Sequence, residues 1–183
     1  MGDPKKKHKM YTTPKRPYDY DVFMEELKLL GAYGLRNKRE LWRHRTKLRH
    51  IRRIAREKLS MDPLERAEDE REMIRKLHAR GLVDERAALE DVLTLTIESL
   101  MGRRLQTIVH RRGMAKSLFQ ARQLITHGHI AIDGRKVKAP SYKVTLDDEA
   151  SLDYAESSPL HASNHPLRQE LVLPEATGGE RVE

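Results

Sequence analysis

The chain has 183 residues, of which 35% are charged and 5% aromatic, with no cysteine and a formal net charge of +8. This length supports one or two small domains on a thin apolar supply, so part of the chain is expected to order only on a partner. Disulfides and thiolate metal sites are excluded, as suits a reducing cytosol; no apolar run approaches the roughly 20 residues of a membrane span, and the basic N-terminus lacks the apolar stretch of a signal peptide.

The layout of the charge says more than its sum. Residues 1–60 hold 18 Lys+Arg against 7 Asp+Glu, residues 61–100 hold 6 against 11, residues 101–146 hold 10 against 1, and residues 147–183 hold 2 against 9. Charge that serves solubility does not separate in this way. Two basic blocks point to a polyanion, and nucleic acid is the first candidate.

Residues 1–18, "MGDPKKKHKMYTTPKRPY", carry three prolines and no apolar period. They read as an extended basic arm whose Lys5, Lys6, Lys7 and Lys9 lie along phosphates rather than as an idle tail. A short helix is predicted after Asp19 or Asp21, with Val22, Phe23, Leu27 and Leu30 on its inner face and Gly31 as its stop. Asn37 starts a longer helix with Glu40 as capping-box partner, and Leu41, Leu48, Ile51, Ala55 and Leu59 form its apolar stripe. Arg36, Lys38, Arg39, Arg43, Arg45, Lys47, Arg49, Arg52, Arg53 and Arg56 load the rest of this segment with cations. A solvated helix would interleave glutamates for i,i+4 pairs, yet no acid stands between Leu41 and Arg56, so phosphate contact is expected. Trp42, beside Leu41, is expected to pack rather than to stack on a base.

Asp62-Pro63 with Glu65 marks another helix start, with Leu64, Ala67, Ile74 and Leu77 as its stripe and Gly81 at its end. Its other face, "ERAEDERE", interleaves acids and arginines and reads as an ordinary solvent- or protein-facing surface. Asp84 is expected to begin a further helical stretch towards Leu100. In "RRLQTIVHRRG", Leu105, Ile108 and Val109 turn inward, four arginines turn outward and Gly113 stops the helix. Ser117 caps the next helix with Gln120 as box partner; Ala121, Leu124 and Ile125 face inward and Gly128 ends it. "HIAI" alternates, Asp133-Gly134 is a two-residue hairpin turn, strands continue around a break at Pro140, and "EASLDY" reads as a last strand. Residues from about 155 onward show no period, and the end, "PEATGGERVE", reads as disordered.

The stretch "RRLQTIVHRRGMAKSLFQARQLITHGHIAIDGRKVKAPSYKV", Arg103 to Val144, resembles the S-four RNA-binding domain. Helix, glycine turn, "ARQLI" helix, "H-x-x-I" strand entry, "DGR" hairpin and "SY-x-V" strand occur in order. Upstream, "YGLRNKRELWR" (Tyr33 to Arg43) resembles the "YGLR-x-K" segment of the S-four family of small-subunit ribosomal proteins. The lysine-rich opening and the lack of a cysteine zinc motif resemble its archaeal branch. The resemblance implies an α+β fold. A mainly helical N-terminal part (19–101) follows the arm (1–18). An S-four domain (102–165), two short helices packed on a small, mostly antiparallel sheet, comes next, and then an acidic, disordered tail (166–183). It implies an RNA patch on Arg103, Arg104, Arg111, Arg112, Lys116, Gln120, Arg122, Arg135, Lys136 and Lys138, which reads backbone geometry and 2′-hydroxyls of duplex RNA. Many relatives carry an arginine directly after the helix cap, where this chain has Leu118; Lys116 or Arg122 is expected to supply that contact.

The resemblance further implies a structural constituent of the ribosome. It would be a primary binder of small-subunit rRNA at a multi-helix junction of the 5′ domain, acting early in assembly, and a contributor to translational accuracy with ribosomal protein S-five. Other small-subunit proteins are expected partners; a membrane or a small-molecule substrate is not. The S-four domain also occurs in pseudouridine synthases and tyrosyl-tRNA synthetases, but the N-terminal hundred residues hold neither a nucleotide-binding glycine loop nor a strand-borne catalytic Asp, so no enzyme is expected. A free RNA-binding factor that recycles ribosomes would lack the "YGLR" region. No cofactor is expected, and His127, His129, His161 and His165 do not assemble a believable metal set.

Overall fold

The computed structural model describes residues 9–162 and 164–172. The chain divides after Met101 into two compact units, and helices with a small antiparallel sheet make the fold α+β.

In the first unit, α1 (Tyr20–Ala32), α3 (Pro63–Ala79) and α4 (Leu89–Thr94) all pack against α2 (Lys38–Leu59). The Asn37 side chain accepts the Glu40 amide at 3.2 Å and opens α2, as its sequence predicts. Leu48 and Ala55 of α2 are buried with Met73, Leu77, Leu89, Val92, Leu95 and Leu100, while Leu41 is buried with Leu35 and Met101. Ile51 and Leu59 pack at the margin.

Four expectations fail here. Helix α1 runs past Gly31, and its reversal falls at Gly34. There φ is 55°, and the amides of Gly34 and Leu35 return to the carbonyls of Gly31 and Leu30, a closure that needs the left-handed conformation glycine adopts freely. Phe23 and Leu27 are exposed, and the buried residue of α1 is Glu26, because an ion-pair network turns that face inward. In α3 the buried positions are Met73 and Leu77; Ala67 is exposed, and the side chain of Leu64 lies outside the described residues. The stretch from Asp84 to Leu100 is two short helices, α4 and α5 (Ile97–Gly102), not one. The break comes where Leu95 turns extended and offers its carbonyl to Arg52 Nη2 at 2.6 Å, a tertiary bond that outcompetes helix continuation.

In the second unit, α6 (Leu105–Arg111) packs on α7 (Leu118–His127). The chain then enters β1 (Ile130–Ile132), β2 (Arg135–Lys136), α8 (Leu146–Ala150) and β3 (Leu152–Tyr154). The sheet order is β2-β1-β3, with Ile132 opposite Arg135 and Leu152, and Ala131 opposite Lys136 and Asp153. The central β1 is buried at all three residues, so the expected in-out alternation is absent: both its edges are paired and neither face meets solvent. Asp133 and Gly134 have φ of 48° and 74°, the two positive values of a type I′ hairpin turn. Ser117 Oγ accepts the Gln120 amide at 3.2 Å. Gln120 Oε1 reaches back to the Lys116 amide, one residue before the cap, rather than to Ser117.

The core joins Leu105, Ile108, Val109, Ala121, Leu124 and Ile125 of the helices to Ile130, Ile132, Val144, Leu152 and Tyr154. "EASLDY" is a strand only from Leu152 to Tyr154; Glu149 and Ala150 close α8, which Thr145 and Asp148 cap reciprocally. Past residue 155, where the sequence shows no period, the chain forms regular elements, and the tail expected to be disordered from residue 166 begins as a helix. A 3-10 turn spans Pro159–His161 and a helix, α9, spans Pro166–Val172. Leu167 packs on the core, and the Arg168 guanidinium lies 4.9 Å over the Tyr154 ring. The expected disorder of "PEATGGERVE", like the phosphate-binding role of Lys5, Lys6 and Lys7, falls on residues outside those described.

Candidate nucleic-acid interface

In the first unit the cations of α2 divide by what they touch. Glu26, 2% exposed, accepts Trp42 Nε1 at 2.9 Å and Arg45 Nη1 at 2.8 Å and pairs with Lys38 Nζ at 3.2 Å. Lys38 and Arg45 therefore spend part of their charge on a buried carboxylate. Arg53 pairs with Glu57 at 3.6 Å on an exposed surface, a contact of small energy. Arg36, Arg39, Arg43, Arg49 and Arg56 are exposed and pair with no carboxylate among the described residues; Lys47 is exposed beside them. Arg45, Arg49, Arg52 and Arg56, spaced to share one side of α2, line a groove with Leu48, Thr96 and Ile97. The described part of the arm runs onto this helix. Lys9 Nζ lies 4.9 Å from the centre of the Tyr11 ring, Tyr11 stacks on Trp42 with centroids 5.9 Å apart, and Arg49 Nη1 donates to Thr12 Oγ1 at 3.1 Å.

In the second unit two of the four arginines expected outward turn inward. Arg104 is 1% exposed, so its guanidinium is withdrawn from the set a phosphate can reach. Its backbone bridges Lys143, and the adjoining Leu105 amide donates to the Tyr142 carbonyl. Arg103 donates to Glu149 Oε2 at 2.6 Å and to the carbonyls of Val144 and Thr145, acting as a clip between α6 and α8. Arg111 and Arg112 are exposed, and Arg112 Nη1 donates to the Leu152 carbonyl at 3.3 Å.

Lys116 and Gln120 meet at the start of α7, and Arg122 Nη1 reaches Gln106 Oε1 at 3.5 Å. Gln106 in turn donates to the Leu118 carbonyl, so α6 and α7 are locked where these polar groups emerge. Arg135 and Lys136, on the edge strand β2, are both exposed. Lys138 sits at the other end of α7: a Cβ on Gly128 would come within 3.2 Å of its Cε, and Gly128 has φ of 77°. Cations thus emerge at both ends of α7, about 15 Å apart for a 10-residue helix. Asp133, the one acid of residues 101–146, stands at the hairpin tip.

The shifted titrations nearby belong to architecture. Burial, partly offset by Arg168, pushes the Tyr154 phenol up, and its hydroxyl donates to the Met114 carbonyl. Burial also raises Tyr142, which faces Asp148. For Asp148 burial is the largest single influence and works upward, yet hydrogen bonds from the Thr145 amide and hydroxyl and from Tyr142 outweigh it and hold the carboxyl below its ordinary value.

Sequence reasoning missed Phe119, 67% exposed between Lys116 and Arg122. The signal was present: Ala121, Leu124 and Ile125 define the inner face, which leaves position 119 outside. Glu26 carried no such signal, since nothing local distinguishes it from Glu25.

Two short helices accompany a three-stranded antiparallel sheet, with exposed cations at both ends of α7, the arrangement expected of a module that meets a polyanion. Residues 103–149 match the family described as the S4 domain. Over 159 residues the chain is 49% identical to Small ribosomal subunit protein uS4 of Ignicoccus hospitalis, covering 87% of this chain and 96% of that one. It is 48% identical over 159 residues to the protein of that name from Hyperthermus butylicus, covering 87% and 90%. Against that of Thermoplasma acidophilum it is 44% identical, covering 100% and 94%. The chain belongs to the family of Small ribosomal subunit protein uS4.

Proposed function

We propose that this protein is a structural constituent of the small ribosomal subunit that binds its rRNA directly and has no catalytic role. The observation that carries this is the set of exposed cations at both ends of α7, within a stretch, residues 101–146, that holds 10 Lys+Arg and one acid, in a domain of S4 type. Each carboxylate facing a phosphate would lose attraction, so an acid-poor surface is the expected mark of a backbone reader. The relatives' shared name supports the small subunit as the assembly, and we read its compartment as the cytoplasm. The finer site follows from the resemblance: a multi-helix junction of the 5′ domain, bound early, with ribosomal protein S-five as a neighbour and translational accuracy as the consequence. Arg111, Lys116, Arg122, Arg135, Lys136 and Lys138 hold phosphates there, Gln120 orders the Lys116 backbone, and Phe119 offers a ring to an unpaired base.

The test is a titration of the full chain into a transcript of the 5′ domain of small-subunit rRNA, with a transcript of the 3′ domain as competitor. Binding is expected to prefer the 5′ domain and to weaken by roughly a thousandfold or more between 50 and 200 mM salt, as six or more phosphate contacts require. An affinity flat with salt, or equal for both transcripts, overturns the reading.

A further inference from the structure

Helix α1 carries more apolar residues than the chain buries. Leu29, Leu30 and Tyr33 pack inward with Leu35, Leu41 and Met101. A second stripe faces out: Tyr20 is 72% exposed, Phe23 38%, Met24 36% and Leu27 42%, with Tyr18 at 94% just before the helix. The spacing i, i+3, i+4, i+7 puts these four side chains on one face about 100° wide, the pattern of a helix laid into a groove. Scattered exposed apolar residues are ordinary, but a contiguous stripe rich in aromatics and methionine is not.

The charge around the stripe says what covers it. Of the 7 acids in residues 1–60, four lie between Asp19 and Glu26. Glu26 is consumed internally. Asp19, Asp21 and Glu25 are exposed, and Lys28 is the one exposed cation of the helix. Within residues 1–60, where cations otherwise prevail, the stretch from Asp19 to Glu26 is acidic, and its carboxylates oppose a phosphate backbone. Its rings do accept cations, since Lys38 Nζ already lies 3.7 Å over Phe23.

Gly31 supplies an independent observation. It lies one turn beyond Leu27 on the same face, in helical conformation, and a Cβ there would meet nothing within 4 Å outside the helix. Alanine would favour the helix, and the described residues offer no steric reason for glycine. A partner that comes close to the backbone does.

We propose that the outer face of α1, Tyr20, Phe23, Met24, Leu27 and Gly31, docks another protein of the small subunit, one whose apolar groove is rimmed by lysines or arginines. This rests on the reading of the chain as a small-subunit constituent.

The test uses the full chain with the photo-crosslinking residue benzoylphenylalanine at Phe23, assembled into small subunits, irradiated, and treated with ribonuclease before mass spectrometry. The expected product is a covalent adduct with one basic small-subunit protein. Phe23→Asp with Leu27→Asp is expected to leave the melting temperature within a few degrees of wild type, while retention of that protein on isolated subunits falls roughly tenfold or more. Gly31→Ala is expected to hold or raise the melting temperature and still weaken retention. An adduct to rRNA, an adduct to a second copy of this chain, or no adduct from a chain that co-sediments with subunits overturns the docking surface alone. An unmodified chain that fails to co-sediment sinks the small-subunit reading and the docking surface with it. A double variant that unfolds shows the stripe to be structural, and Gly31→Ala with unchanged retention removes the close-approach argument.

Discussion

Arginine does three different jobs in this chain, and the residue type does not say which. Arg104 is buried, Arg103 is a clip that binds Glu149 and two carbonyls, and Arg111 is exposed to whatever lies outside. The buried counterpart is Glu26, which gathers Trp42, Arg45 and Lys38 and so fastens α1 to α2. Removing one member of a fully buried pair costs about 3–5 kcal/mol because a charge is left uncompensated. Here the cations have side-chain exposures of 24% and 28%, and water can take over part of the loss. Glu26→Ala is therefore expected to cost somewhat less, on the order of 2–3 kcal/mol. A denaturant melt of the full chain checks this, and a loss below about 0.5 kcal/mol would show the cluster to be ornamental to folding.

At the scale of elements, caps and turns carry most of the local specification. The Ser117 cap starts α7 at the place where Lys116 and Gln120 meet, so the cap and the proposed RNA patch are adjacent but separable. Ser117→Ala is expected to cost on the order of 1 kcal/mol of folding and to change RNA affinity little, because the cations stay. Reversing charge at Arg111 and Lys136, both exposed, is expected to do the opposite. The melting temperature holds, binding to the 5′-domain transcript weakens at least tenfold, and the salt slope falls by about 2 for two phosphate contacts. A paired melt and RNA titration on the two variants decides between them. Affinity intact after the double reversal would move the RNA to another face, with the arginine groove of α2 the next candidate.

Across the whole molecule, the two basic blocks fall in different compact units of one chain. Joining two weak binding surfaces makes the second contact intramolecular and raises the joint affinity by orders of magnitude without any new contact. Splitting the chain between the units is therefore expected to give two pieces that each bind the rRNA transcript far more weakly than the intact protein. Competition of the intact chain against an equimolar mixture of residues 1–101 and 102–183 measures this. If residues 102–183 alone matched the intact chain, the first unit would add nothing to RNA affinity.

Sequence alone determined what is local. Asn37 and Ser117 announced their helices because a side-chain oxygen three residues ahead of an amide is all a cap requires, and Asp133-Gly134 announced its turn because few residues tolerate two positive φ values. The charge blocks and the Arg103–Val144 motif run were equally legible, and they carried the family and the expected RNA surface with them. Tertiary structure decided the rest. It chose which of two apolar stripes of α1 would be buried, since Glu26 and not hydrophobicity turned the helix. It split the predicted helix at Leu95, because a carbonyl there satisfies Arg52 across 43 positions of chain. It hid Arg104, and it ordered Pro166–Val172 by setting Leu167 and Arg168 against a core built from residues far upstream. Each of these outcomes turns on a partner distant in sequence, and no periodicity within a window of ten or twenty residues can name such a partner.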